Sequence, residues 1–110
     1  MYAVHVVLRV KAGRAAEFAA GLASVVPELE RHAGTSLFLA TQSQLDPHEF
    51  RFTELYRDEA AFREHLALSG KLGKVRELME GLVEGPWQPA FAQRVAGGAK
   101  LDPAPQGAAS

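Results

Sequence analysis

The chain has 110 residues, a formal net charge of −1 and no cysteine. This length fits one domain, and 47% hydrophobic with 23% charged residues is typical of a globular chain. The lack of cysteine excludes disulfides, thiolate nucleophiles and cysteine-ligated metal centres, and the near-neutral charge argues against a nucleic-acid partner. No run of about 18 apolar residues occurs and the N-terminus lacks a basic signal segment, so we expect a cytoplasmic protein without a membrane partner.

The first predicted strand covers residues 2–11, where β-branched residues alternate with polar ones. One of its faces is entirely apolar and consists of Val4, Val6, Leu8 and Val10. A break at Gly13 is followed by helical spacing of apolar residues over 14–32. Pro27 is expected to bend or split this helix, and Gly34 to stop it.

Residues 35–44 and 49–57 are predicted to be two strands of an antiparallel hairpin, because the connector between them has turn chemistry. Asp58 follows directly and is a good helix N-cap. The helix that it begins is predicted to cover residues 59–68, with an apolar stripe along one side.

A further helix is predicted over residues 72–83, where apolar residues recur at three- and four-residue steps. It is followed by a final strand over 87–95. We therefore expect one domain over residues 1–96. The remaining residues, 97–110, are rich in Gly, Ala and Pro and are expected to form a flexible tail.

The element order β-α-β-β-α-α-β predicts an α+β, ferredoxin-like domain with an antiparallel sheet. Helices can cover only one face of such a sheet. Phe38, Phe50 or Phe52, and Phe91 suggest that both faces carry large apolar residues. Because an uncovered apolar face is unfavourable in water, we expect a homodimer that forms through the sheet face.

The four histidines lack the spacing of a metal site, so we expect neither a metal nor a cofactor. His32 and His48 lie in polar contexts and are expected to be exposed. His65 lies in the apolar stripe of its helix and should enter the interior, where a structural core histidine is the simpler interpretation. Glu54 and Tyr56 alternate onto one face of the preceding strand, and three polar groups in an apolar cavity are typical of a small-molecule site.

The stretch from Phe52 to Leu66 resembles the antibiotic biosynthesis monooxygenase (quinol monooxygenase-like) family of dimeric α/β barrels. Its members have a Glu-x-aromatic strand end, here Glu54 to Tyr56, an acidic helix start, and a helical Ala-Phe/Leu-x-x-His, which ends here at His65. The resemblance covers roughly residues 2–95. Many members have a second histidine where this chain has Gly70.

The resemblance implies oxygenation of a small electron-rich hydroxyaromatic, such as a quinol or an anthrone, by O₂ without flavin or metal. His65 would then be the catalytic base, Tyr56 a hydrogen-bond donor to the developing oxyanion, and Glu54 an orienting group. We assign Val6, Phe62 and Leu66 to the substrate pocket. The haem-degrading branch of this fold uses an asparagine, a tryptophan and an iron-ligating histidine. The corresponding positions here hold Val6, His65 and Val75, so the resemblance implies no haem.

The fold also occurs in proteins without a known reaction, so fold alone does not determine function. The alternative hypothesis is a non-catalytic, dimeric small-ligand-binding or stress-associated protein that uses the same cavity.

Overall fold

The computed structural model describes residues 1–101, so residues 102–110 of the expected tail lie outside the described part of the chain. Four strands and three helices follow one another in the predicted order. Their bounds are β1 Tyr2–Arg9, α1 Ala15–Glu30, β2 Thr35–Gln42, β3 Glu49–Tyr56, α2 Glu59–Lys71, α3 Gly73–Leu82 and β4 Pro89–Gln93.

The four strands form one sheet in the order β2-β3-β1-β4, and every neighbouring pair is antiparallel. This arrangement confirms the predicted ferredoxin-like α+β class. In the two central strands Val4 is paired with Glu54 and Val6 with Phe52, so these four side chains lie on the same face. The three helices pack on that face, which we call the inner face, and the core lies between.

The four phenylalanines do not place large apolar side chains on both sheet faces, so that prediction was wrong. The register pairs Phe38 with Glu54, Phe52 with Val6 and Phe91 with Val4, which places them all on the inner face with Phe50. The opposite, outer face carries polar residues such as His5, Arg51 and Thr53, but it also has apolar side chains. These are Val7, Leu37, Leu39 and Leu55, of which Val7 and Leu39 are 53% and 47% exposed.

Helix α1 is not split at Pro27 but continues through it to Glu30. The proline is exposed and lies in the last turn, where it removes one backbone donor, while Val25 and Leu29 on either side are buried in the core. Gly34 does not stop this helix, because the helix ends four residues earlier. A Cβ atom at Gly34 would instead lie 2.5 Å from the Cβ of Ala61, so this glycine permits close packing of β2 against α2.

Asp58 is the N-cap of α2, as predicted, and its side chain accepts a hydrogen bond from the backbone N–H of Ala61 at 2.8 Å. The helix continues three residues beyond its predicted end, to Lys71, and α3 begins after Leu72. In residues 1–101 no helix is long and apolar enough to cross a membrane. The cytoplasmic location stays a prediction.

Candidate active site

A cavity of about 610 Å³ lies between the inner face of the sheet and the three helices. This volume is within the range of small-molecule sites. Its wall is mainly apolar and aromatic, with contributions from all four strands, all three helices and the segment leading into β4. The aromatic members of the wall are Phe38, Phe52, Phe62, Trp87 and Phe91.

The three residues assigned to the pocket from the sequence, Val6, Phe62 and Leu66, all line this cavity. Val6 and Phe62 are buried, whereas Leu66 is half exposed and therefore lies at the mouth. Trp87 and Phe91 also line the cavity while remaining partly exposed. The sequence analysis did not assign these two residues to the pocket, because only the pairing of β4 with β1 places them there.

Glu54 brings a carboxyl group into this apolar wall. It lines the cavity from β3 and is 5% exposed. Its Oε1 accepts a hydrogen bond of 2.5 Å from the hydroxyl of Tyr56, which lies two residues further along the same strand face. Tyr56 itself is fully buried and is not part of the cavity wall. Tyr56 therefore contacts the carboxyl group from behind the wall.

His65 lines the cavity from α2 and is 4% exposed, so its ring enters the interior as predicted. Its ring lies against those of Phe38 and Tyr56, with centroids 5.6 and 5.1 Å away. The Nε2 atom is 3.9 Å from Oε1 of Glu54, too far for a direct hydrogen bond. The Nδ1 atom is buried and has no hydrogen-bond partner in the described part of the chain.

Burial dominates the electrostatics of this group of residues. It raises the pKa of Glu54 to about 7, although the hydrogen bond from Tyr56 opposes this increase. Burial, helped by the charge of His32, lowers the pKa of His65 to about 4. The pKa of Tyr56 is raised by burial and by the neighbouring carboxylate. At neutral pH the imidazole is therefore uncharged, and the carboxyl group is close to its titration midpoint.

This arrangement can move a proton at the cavity wall. A carboxyl group that titrates near pH 7 can accept a proton from a weakly acidic hydroxyl or C–H group. Oε2 of Glu54 has no hydrogen-bond partner among residues 1–101. It is not completely buried, so a molecule in the cavity can contact it. The same holds for Nε2 of His65. Two polar atoms thus face the interior of a mainly apolar cavity.

The other histidines do not line this cavity. His32 and His48 are half-buried rather than exposed, which corrects the expectation for both. His32 lies 3.2 Å from a carboxylate oxygen of Glu64, and His48 accepts a hydrogen bond from the backbone N–H of Gly13. Within the described residues, no group of three or more histidine, aspartate or glutamate side chains is arranged to hold a metal ion.

Comparisons with known proteins agree with this architecture. Residues 1–84 match the family model described as antibiotic biosynthesis monooxygenase. A provisionally assigned antibiotic biosynthesis monooxygenase from Nitrosomonas europaea superposes with a TM-score of 0.79 at 21% identity, covering 87% of this chain and all of that one. A protein from Shewanella oneidensis gives 0.70 at 25% identity, covering 83% and 87% of the two chains. No curated protein matches the chain.

Proposed function

Because the chain belongs to the antibiotic biosynthesis monooxygenase family, we propose that it is a monooxygenase that oxidises a small electron-rich hydroxyaromatic compound with O₂. The observation that supports this most strongly is the pairing of Glu54 and His65 in the wall of an aromatic cavity of about 610 Å³. Aromatic walls suit a planar ring system. The two polar groups supply proton transfer and hydrogen bonding where the ring hydroxyl would lie.

Glu54 is the base in this proposal, because a base is most effective when its pKa is close to the working pH. The resemblance suggested His65 for that role, but an imidazole whose pKa is lowered to about 4 is a weak base at neutral pH. We assign the proton of neutral His65 to Nε2, from which it donates to the developing oxyanion. Tyr56, which touches the carboxyl group and does not line the cavity, is a positioning residue.

The reaction balances without an external reductant. Glu54 takes a proton from the substrate, and the resulting anion passes an electron to O₂. Recombination of the radical pair forms a C–O bond and a peroxide. Glu54 returns its proton to the peroxide, and loss of water then breaks the O–O bond, so that an anthrone and O₂ give an anthraquinone and H₂O. One oxygen atom enters the product, the other leaves in water, and all four electrons come from the substrate.

We also propose that the protein is a homodimer formed through the outer sheet face. Val7 and Leu39 are half exposed there, next to Leu37 and Leu55. Removing these apolar side chains from water stabilises association by roughly 25 cal/mol per Å² of apolar surface.

Oxygen uptake with a panel of quinols and anthrones tests the proposed activity. The parent protein should accelerate uptake above the spontaneous rate, and Glu54→Gln should lower the enzymatic rate about 10²–10⁴-fold, the usual contribution of a general base. Glu59→Gln, which removes an exposed carboxylate of α2 outside the cavity, is the matched control and should keep the parent rate. Saturable binding of these compounds without accelerated uptake would favour the non-catalytic alternative.

A further inference from the structure

Arg76 is the one cationic side chain among the described residues of the cavity wall. It lies on α3 and is exposed, so its guanidinium is at the mouth rather than in the interior. The buried polar pair, Glu54 and His65, lies in the part of the wall formed by β3 and α2. Most of the remaining wall is apolar, so the cavity has two polar sites, one buried and one at the mouth.

The guanidinium of Arg76 is held but not neutralised. Its Nη2 donates a hydrogen bond of 2.8 Å to the backbone carbonyl of Gly70, which also lines the cavity. No carboxylate of residues 1–101 lies within ion-pair distance of it. Five other arginines differ in this respect, because each is paired with an acidic side chain: Arg9, Arg14, Arg51, Arg57 and Arg63.

A guanidinium has five N–H donors in a fork that fits a carboxylate, and one bond to a carbonyl leaves most of them available. We propose that Arg76 is an anion-recognition residue and that the preferred substrate is a hydroxyaromatic compound bearing a carboxylate. The ring hydroxyl then lies at Glu54 and His65, and the carboxylate lies at the mouth. This inference rests on the proposed function for the orientation of the ring, but the binding of the anion does not require turnover.

Glu80 is the other charged residue at this end of the cavity. It lies one helical turn after Arg76 and forms no ion pair with it. Its carboxylate repels an anionic ligand and therefore partly offsets the attraction of Arg76. Removing the charge of Glu80 should consequently strengthen anion binding, the opposite effect to removing that of Arg76.

Calorimetric titration of the full chain under anaerobic conditions tests this assignment with two probes that share a ring system, 6-hydroxy-2-naphthoate, whose hydroxyl and carboxylate lie at opposite ends of the rings, and 2-naphthol. The parent protein should bind the naphthoate more tightly than the naphthol. Arg76→Gln should weaken naphthoate binding about tenfold, or about 1.4 kcal/mol, and leave naphthol binding unchanged. Glu80→Gln should strengthen naphthoate binding. Lys74→Gln, which removes an exposed cation of α3 outside this cavity, is the control and should change neither affinity.

An equal affinity of the parent for both probes, no binding of either probe, or an unchanged naphthoate affinity in Arg76→Gln would overturn the assignment. Thermal unfolding of each variant shows whether the exposed substitution has left the fold intact. Oxygen uptake is measured separately. Binding that depends on Arg76 without accelerated uptake supports the anion site and contradicts the monooxygenase proposal. Accelerated uptake without an Arg76-dependent preference for the naphthoate supports the monooxygenase proposal and contradicts the anion site.

Discussion

Replacing Glu54 with glutamine should stabilise the protein at alkaline pH, although it removes the proposed base. The carboxyl group is 5% exposed, and burial raises its pKa from the ordinary value of 4.5 to about 7. A carboxyl group whose pKa is higher in the folded state is held there in its protonated form. Its contribution to stability is therefore complete below pH 4.5 and is lost as the pH rises towards 7.

The magnitude follows from the same two values. One pKa unit corresponds to 1.36 kcal/mol, so the difference between 4.5 and about 7 amounts to about 3 kcal/mol in the free energy of unfolding. Glutamine is nearly isosteric with the protonated acid and does not ionise. Glu54→Gln and the parent should therefore be about equally stable at pH 4, whereas at pH 8 the variant should be more stable by up to about 3 kcal/mol.

Urea denaturation of both proteins at intervals between pH 4 and 8 measures this difference directly. His65 contributes in the opposite direction, because its pKa is lowered from 6.5 to about 4 and its contribution to stability is lost as the pH falls between those values. That contribution is common to both proteins and cancels in the comparison. A stability difference that does not change with pH, or a variant that is less stable at pH 8, would refute the assignment of a buried carboxyl group with a raised pKa.

Three further predictions concern the positioning residue, the packing and the assembly. Tyr56→Phe removes the hydrogen bond that lowers the pKa of Glu54. Such a bond to a charged acceptor contributes about 1.5–3 kcal/mol, so the pKa of Glu54 should rise by roughly one to two units. Carboxyl ¹³C NMR titration measures this pKa, and an unchanged midpoint would exclude Tyr56 as a positioning residue. Gly34→Ala should destabilise the fold by about 1–3 kcal/mol, because the new Cβ would meet that of Ala61; thermal unfolding without loss of stability would contradict this. Light scattering should give about twice 11.9 kDa for the parent, and Leu39→Lys on the outer face should give a monomer; a monomeric parent would contradict the dimer.

The sequence predicted the features of the site that depend on local periodicity. Alternation along β3 places Glu54 and Tyr56 on the same face. Helical spacing along α2 predicts that His65 enters the core beside Phe62. The order of the elements was also evident, because turn residues occur at the boundaries and the spacing of apolar residues changes there.

Features that depend on contacts between distant segments could not be predicted in this way. The face on which Phe38 or Phe91 lies is determined by the register of β2 and β4 against the central strands, which alternation within one strand does not specify. The lining positions of Trp87 and Arg76 depend on how β4 and α3 pack against the sheet. The proposal that Glu54 rather than His65 is the base also required the structure, because the pKa values of both groups depend on burial.

Product labelling under ¹⁸O₂ tests the central claim most directly, that the Glu54 carboxylate drives insertion of one oxygen atom from O₂. With anthrone as substrate, the parent protein should form anthraquinone containing one ¹⁸O atom. It should do so about 10²–10⁴-fold faster than Glu54→Gln once the spontaneous oxidation is subtracted. Equal rates of label incorporation for the folded variant and the parent, or a product oxygen derived from water, would contradict the account.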